Sequence, residues 1–251
     1  MNNWQETLLF PVRDEQARKQ FLIACFFALA GFLVPIIPTL FLLGYGARIM
    51  RQVLDEHKTP SMPDWQESDW SAMLLDGLRL FGLQMLLMLP ILILMGGGLL
   101  FITIGSVGLS ASSDEQMRSV APVSVILLFL GMGMFMLFSL LSFPYAILIS
   151  AALPHAVASN SFAAGLNVRE WFPIFRKGLG NFVIGYALVM VMSIIFMFLI
   201  QFAMITIVLI CLVPFIMIPY SAYLSLVMNT VFAQAYSTGR DALQLESHAS
   251  A

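Results

Sequence analysis

The chain has 251 residues, of which 60% are hydrophobic and only 10% are charged. Soluble domains carry about 25% charged residues, so this composition excludes an ordinary soluble domain and predicts an integral membrane protein. The formal net charge of −2 gives no sign of a nucleic-acid partner.

The first apolar run follows a polar segment of about 20 residues, which lacks the features of a cleavable signal peptide. The run extends from Phe21 to Gly46 and is interrupted by Pro35 and Pro38. Its length suffices for one crossing of a hydrocarbon core of about 30 Å but not for two. The segment therefore either spans the bilayer with a kink or enters it and returns.

Four further runs are long enough to cross a bilayer, for which a helix needs about 20 apolar residues. Residues 178–239 contain no Asp, Glu, Lys or Arg. A single helix over this block would measure about 93 Å, so the block is expected to hold two spans. Their turn is predicted within "ITIVLICLVP", with Pro214 in the next helix's first turn. The predicted spans are Leu78–Ile104, Ala121–Ser150, Asn181–Ile205 and Pro214–Phe232.

The positions of the 12 Lys and Arg residues distinguish the two arrangements of the first run, because these residues are enriched on the cytoplasmic side. If Phe21–Gly46 spans, the best division is eight against four. If it returns, eleven lie on one side and only Arg118 lies on the other. The charges therefore favour a re-entrant hairpin broken at "PIIP", with both termini cytoplasmic, and a kinked span is the alternative.

These patterns predict one all-α membrane domain over residues 1–251, with four full transmembrane helices plus the proline-broken N-terminal segment. The predicted location is the cytoplasmic membrane. The four tryptophans, Trp4, Trp65, Trp70 and Trp171, all lie outside the apolar runs, as interfacial tryptophans do. The remaining parts are a polar segment at 1–20, an amphipathic and acidic cytoplasmic loop at 47–77, an interfacial segment at 151–180 and a polar tail at 237–251.

Two neighbouring stretches, "GYGARIMRQVL" and "MPDWQESDWSAMLLDGL", form a distinctive pattern. They resemble the motif Gly-Tyr-x-x-Arg-x-x-Arg followed by Leu-Pro-x-Trp and Asp-Gly-Leu, found in a prokaryotic family of multi-pass membrane proteins, domain of unknown function 4013. Met62 replaces the leucine of the motif. The resemblance implies a bundle of membrane helices and assigns no catalytic residue. The matching positions are Gly44, Tyr45, Arg48, Arg51, Pro63, Trp65, Trp70, Asp76 and Gly77.

Ionisable side chains inside the bilayer usually indicate function, and the interiors of the four predicted spans contain no Asp, Glu, Lys or Arg. The polar candidates there are Gln84, Asn181, Gln201 and Asn229, which either hydrogen-bond neighbouring helices or line a solute path. His155 has no second ligand at helical spacing, so we predict a surface histidine rather than a metal or pigment ligand. The sequence predicts no cofactor and no metal site.

Other features have a packing interpretation and a ligand-binding alternative. The glycines of "MGGGLLFITIGSVG" indicate close helix contacts, with an unwound ion site at Gly97–Gly98 as the alternative. Methionines 132, 134 and 136 indicate adaptable packing rather than a copper site. The acidic stretch "DEHKTPSMPDWQESDW" indicates a solvated face rather than a divalent metal site, and Asp69 or Ser68 is expected to cap the following helix.

For function, the sequence predicts a non-catalytic membrane protein that packs with itself or with partner subunits and contacts membrane lipids. Arg48 and Arg51 are expected to hold the emerging helix at the cytoplasmic surface, through lipid phosphates or the acidic loop. The alternative is a small transporter or channel-like protein that uses the broken N-terminal helix and the amides. A membrane enzyme has the least support, because no catalytic motif is present in the sequence.

Overall fold

The structure is a computed structural model that describes residues 4–56, 59–65, 69–111, 119–205 and 211–249. Within these ranges the regular structure is entirely helical, which confirms the predicted all-α fold. The helices are α1 (Trp4–Leu9), α2 (Glu15–Leu33), α3 (Ile37–Glu56), α4 (Trp70–Ala111), α5 (Ala121–Ile149), α6 (Ala152–Ala158), α7 (Phe162–Leu166), α8 (Val168–Ile205) and α9 (Val213–Ala249), with a 3-10 turn at Phe10–Val12.

Four of the described stretches are long and apolar enough to cross a membrane, as predicted. Three of the helices, α4, α8 and α9, are longer than the predicted spans: α4 has 42 residues and α9 has 37. At 1.5 Å per residue these lengths are about 63 and 56 Å. Mean hydropathy identifies only the part of a helix that is apolar enough to cross a bilayer. The helix extends beyond that part wherever its backbone hydrogen bonds continue. The stretches are Trp70–Ala111, Ala121–Ala158, Val168–Ile205 and Val213–His248.

The segments predicted to flank the spans are largely helical where the structure describes them, and their cytoplasmic and interfacial positions stay predictions. Residues 47–56 complete α3, and residues 70–77 begin α4. The 151–180 segment contains α6, α7 and the first turns of α8, and residues 237–249 extend α9. Lys58, Glu67, Ser68, Arg118 and residues 206–210 of the predicted last turn lie outside the described residues.

The start of α4 is capped by Asp69, as the sequence predicts. Its Oδ1 accepts hydrogen bonds from the Ser71 hydroxyl (2.7 Å), the Ser71 N–H (2.9 Å) and the Ala72 N–H (3.3 Å). These donors favour the charged carboxylate, and the Ser71 hydroxyl makes the largest contribution to lowering the pKa of Asp69. The cap satisfies backbone groups that a helix start leaves without partners.

The chain divides into two compact units, of which the smaller is Met85–Leu148. This unit is an antiparallel pair formed by α4 and α5, whose backbones approach at glycines. A Cβ built on Gly131 would lie 2.7 Å from the carbonyl oxygen of Gly98, so only glycine fits. The packing role predicted for the glycines is therefore confirmed at Gly98, Gly105 and Gly108, where an added Cβ would meet atoms of α5. The helix α4 continues through Gly97 and Gly98, which makes the alternative of an unwound ion site wrong.

The larger unit contains the residues up to Gln84 and those from Ile149 onward. Within it, α2 and α3 form an antiparallel helical hairpin. The rings of Phe27 and Phe41 lie 5.5 Å apart, and a Cβ on Gly31 would lie 3.2 Å from the Thr39 hydroxyl oxygen. Later residues of α2 thus face earlier residues of α3, as an antiparallel pair requires.

The tip of this hairpin lies at the predicted proline break. The helix α2 ends with the Val34 N–H bonded to the Ala30 carbonyl oxygen (2.8 Å). Beyond Pro35, the chain reverses and the Thr39 hydroxyl donates to the Pro35 carbonyl oxygen (2.6 Å). Pro38 lies in the first turn of α3, where its missing N–H does not interrupt a helical bond. The break at "PIIP" is therefore confirmed.

The helix α9 packs against α2, α3 and α8 within the larger unit. The Tyr223 hydroxyl donates to the Leu8 carbonyl oxygen (2.8 Å), so α9 holds the N-terminal segment. Arg240 Nη2 donates to the Leu54 carbonyl oxygen near the end of α3 (2.6 Å). Because Tyr223 and Arg240 lie 17 residues apart, α9 contacts the N-terminal segment and the end of α3 at two different positions along its length.

Candidate functional site

The residues of the Gly-Tyr and Asp-Gly motifs meet where α3 crosses the first turns of α4. A Cβ on Gly44 would lie 1.9 Å from the Met73 carbonyl oxygen. A Cβ on Gly77 would lie 1.9 Å from the Leu40 carbonyl oxygen. Because real Cβ atoms essentially never approach within 3.0 Å, only glycine fits at either position. The two glycines thus allow the backbones to touch, and this contact places the other motif residues.

Trp65 lies at the centre of an aromatic stack beside the crossing. Its ring is parallel to the rings of Tyr45 and Phe27, with centroids 4.0 and 4.9 Å away. The Trp65 indole N–H donates to the Gln20 carbonyl oxygen (3.1 Å), and the backbone N–H donates to Gln20 Oε1 (3.2 Å). The Tyr45 hydroxyl donates to the Pro63 carbonyl oxygen (2.7 Å). The stack holds the segment after α3 against the hairpin.

The tryptophans do not share the predicted interfacial position. Trp65 is only 1% exposed and is a core residue. Trp171 is equally buried, and its indole N–H donates to the Gly165 carbonyl oxygen (3.0 Å). Each indole N–H donates to a backbone carbonyl oxygen, so neither tryptophan needs an interfacial position to satisfy its N–H group. Trp70 is exposed at the start of α4, as an interfacial residue would be.

Two arginines converge on one carboxylate next to the helix crossing. Arg51 Nη1 donates to Asp76 Oδ2 (2.6 Å), and Arg79 Nη1 lies 3.7 Å from Asp76 Oδ1. Asn160 Oδ1 accepts from Arg51 Nη2 (3.3 Å) and from Arg79 Nη1 (3.1 Å). We call these four residues the arginine cluster. Arg51 thus pairs with an acidic residue of α4, beyond the acidic loop considered in the sequence.

Asn160 is presented by a tight turn that ends α6. Its φ of 49° lies in the left-handed region, which asparagine adopts more readily than most residues. The Asn160 N–H donates to the Val157 carbonyl oxygen (3.2 Å), and the Ser161 N–H donates to that of Ala156 (3.1 Å). This pair of bonds is the Schellman pattern of helix C-termini. The signal in the sequence was asparagine between two serines at residues 159–161, which the sequence analysis did not use.

A small cavity of about 20 Å³ lies within the arginine cluster. This volume holds about one water molecule. Its polar wall is the arginine cluster itself, with Ser161 beside it. The apolar part of the wall comes from α3, α4, α6 and α7, through Ala47, Leu80, Ala156, Val157 and Phe162.

His155 of α6 is buried, with 8% of its surface exposed, so the prediction of a surface histidine is wrong. Its Nδ1 lies 2.7 Å from the Tyr236 hydroxyl, and its Nε2 lies 3.2 Å from Glu170 Oε2. A neutral imidazole satisfies both contacts when Nε2 carries the proton and Nδ1 accepts from the tyrosine. The histidine therefore ties α6 to α8 and α9. Within the described ranges, no group of three His, Cys, Asp or Glu could hold a metal ion.

The four amides singled out in the sequence have different surroundings. Asn229 is buried in α9 beside α3, and a Cβ on Gly46 would lie 2.2 Å from its Nδ2. Gln84 and Asn181 are half-buried, whereas Gln201 is exposed along α8. Asn229 thus has the helix-packing position that buried amides commonly take. The suggestion that the four line a solute path stays a prediction.

Comparison with known proteins adds a family match. A family model described as a protein of unknown function (DUF4013) matches residues 27–209, which is more than half of the chain. This range contains the helix crossing, the aromatic stack except Gln20, and the whole arginine cluster. No curated protein and no solved structure matches the chain significantly.

Proposed function

We propose that this chain, which belongs to the DUF4013 family of proteins of unknown function, is a non-catalytic membrane protein whose spans associate with helices of a second copy or of partner subunits. The observation that carries the proposal is a pair of open glycine positions. Among the described residues, and apart from the neighbouring backbone of its own helix, no heavy atom lies within 4 Å of a Cβ built on Gly96 of α4 or on Gly133 of α5. Both positions lie in apolar stretches of the smaller unit.

An open glycine in a helix needs a reason, because glycine destabilises a helix by about 1 kcal/mol relative to alanine. At Gly98 and Gly131 the contact between α4 and α5 offsets this cost. Gly96 and Gly133 receive no such contact from the part of the chain that the structure describes. In lipid, small residues permit the close approach of another helix, which would supply the missing contact.

Replacing Gly133 with leucine is expected to reduce association in the bilayer about tenfold, because the side chain keeps the second helix at a distance. The full-length protein would be reconstituted in liposomes, and energy transfer between donor- and acceptor-labelled copies would be measured. Co-purification of other membrane proteins in mild detergent would report on partner subunits. A tenfold change corresponds to about 1.4 kcal/mol, a plausible value for one blocked contact.

Gly180→Leu is the matched control, because Gly180 is also open but lies beside Lys177 at the polar start of α8. We expect this variant to associate like the wild type. If neither the energy transfer nor any co-purifying protein depends on Gly133, association through this face is wrong.

We further propose that the α2–α3 hairpin enters the cytoplasmic leaflet of the cytoplasmic membrane and returns, with both termini cytoplasmic. The apolar arms Phe21–Leu33 and Ile37–Gly46 measure about 20 and 15 Å, well under the core thickness of about 30 Å. The tip is apolar and exposed, with Phe32 at 84% and Leu33 at 78%. Lys19 and Arg48 stand at the base of the two arms, where the charges can stay in water.

Changing Pro35 and Pro38 together to leucine is expected to move the N-terminal segment to the outer face in part of the population. Each proline costs about 3 kcal/mol within a helix, so their removal favours one continuous helix. Such a helix of about 39 Å would span the bilayer with a tilt. Labelling of Gln5→Cys by an impermeant reagent, in a protein without its two native cysteines, would report the location.

The wild-type protein should resist this labelling from outside, and so should Ile36→Leu, which alters the tip but keeps both prolines. Outside labelling of the wild type would identify an ordinary kinked span and contradict the hairpin placement.

A further inference from the structure

The arginine cluster carries more positive charge than its own carboxylate neutralises. Arg51 and Arg79 contribute two positive charges, Asp76 contributes one negative charge, and Asn160 contributes a neutral oxygen. We propose that this cluster binds a phosphate group, carried by a lipid headgroup or by free inorganic phosphate. One phosphate oxygen takes the water-sized cavity, and the rest of the group lies outside it against the exposed parts of the two arginines. A singly charged phosphodiester would balance the remaining positive charge.

The exposure of the charged groups favours an incoming anion. The side chains of Arg51 and Arg79 are 34% and 39% exposed, whereas that of Asp76 is only 11% exposed. An anion approaching the cavity therefore meets guanidinium groups before it meets the carboxylate. Guanidinium groups present several N–H donors in one plane, which matches the oxygens of a phosphate.

The position of Arg79 along α4 suits a lipid phosphate. From Leu80 to Ala111 the helix contains no charged residue, so Arg79 stands where the apolar stretch begins. If the spans cross the bilayer as proposed, this is the level of the headgroups. Leu80, Val157 and Phe162 on the cavity wall could then contact the apolar part of the same lipid. Basic pockets between membrane helices bind lipid headgroups in this way.

The test compares two phosphate sources and one compound without phosphate. The full-length protein in an uncharged detergent is titrated with dihexanoyl phosphatidylglycerol, with inorganic phosphate, and with dihexanoylglycerol, and binding is measured by thermophoresis. Arg79→Gln should weaken binding about fivefold for whichever of the two phosphate compounds the wild type binds, since it removes one basic contact. Arg176→Gln is the matched control, because Arg176 is exposed on α8 outside the cavity, and its effect should stay below about twofold.

Lipid binding that depends on Arg79 and resists competition by inorganic phosphate would support a headgroup as the ligand. Binding of inorganic phosphate that depends on Arg79 would support a free anion. Equal effects of the two arginine substitutions, equal binding of dihexanoylglycerol, or no binding of either phosphate compound to the wild type would overturn the proposal. If Arg79→Gln does not yield a monodisperse protein, Arg79→Lys keeps the charge beside Asp76 and should still bind more weakly.

This test is independent of the association experiment. If Gly133→Leu does not change association, the prediction of phosphate binding is unaffected. If the protein does not bind phosphate, the predicted effect of Gly133→Leu on association is unaffected.

Discussion

Gly77→Ala is expected to destabilise the protein by about 2 kcal/mol, because overpacking at a close contact typically costs 1–3 kcal/mol. The new Cβ would lie 1.9 Å from the Leu40 carbonyl oxygen and 3.1 Å from the Gly44 nitrogen. Both are backbone atoms, which cannot rotate away as a side chain can. The helices α3 and α4 must therefore separate, and the better helix propensity of alanine offsets only about 1 kcal/mol. Thermal unfolding in detergent, followed by tryptophan fluorescence, would measure the loss.

Gly180→Ala provides the comparison, since an added Cβ there meets no described atom of another element within 4 Å. This variant should be as stable as the wild type or more stable by up to about 1 kcal/mol. Gly44→Ala should behave like Gly77→Ala, because its Cβ would also lie 1.9 Å from a carbonyl oxygen. Equal unfolding temperatures for Gly77→Ala and Gly180→Ala would mean that the backbones do not touch at the crossing.

Asp76→Asn should also destabilise the protein by about 2 kcal/mol, and more at low salt than at high salt. The substitution keeps the side-chain shape but leaves Arg51 and Arg79 as neighbouring like charges. Breaking a fully buried ion pair costs about 3–5 kcal/mol, and the partial exposure of both arginines reduces that value. Salt screens the remaining repulsion, so unfolding temperatures at about 0.02 and 0.5 M salt would separate the charge effect from lost packing.

The matched substitution is Glu15→Gln, which removes the exposed pair of Glu15 with Lys19 (3.1 Å). Exposed pairs contribute little, so this variant should unfold like the wild type at both salt concentrations. If Asp76→Asn shows no loss, or a loss that does not respond to salt, the charge balance of the arginine cluster does not stabilise the fold.

The break of the hairpin and the four helices long and apolar enough to span a membrane were predictable because their causes are local. An uninterrupted apolar run predicts a span. Pro35 and Pro38 predict a break, because proline does not fit the interior of a continuous helix. The charge count then favoured a chain that returns within the bilayer, which stays a prediction, and the antiparallel contact of Phe27 with Phe41 shows that the chain reverses. The helix ends were less predictable, because polar residues outside the bilayer continue a helix as readily as they end it.

The contacts of the site were not predictable, because they join residues that are far apart in sequence. Asn160 is 109 residues from Arg51, and His155 is 81 residues from Tyr236. The family motif indicated Arg51 and Asp76 but not that they pair with each other. Trp65 looked interfacial because it lies among polar residues, yet the Gln20 carbonyl oxygen and the rings of Tyr45 and Phe27 provide a buried position for it.

The bond from Arg240 to the end of α3 has a consequence for the timing of synthesis. Arg240 follows Leu54 by 186 residues, and Tyr223 follows Leu8 by 215. At about 5–20 residues per second, the ribosome needs about 10–40 s to add the first of these intervals. During that time the residues of the α2–α3 hairpin have been synthesised, but the part of α9 that packs against them has not. One of the earliest parts of the chain to be synthesised is therefore among the last to reach its final packing.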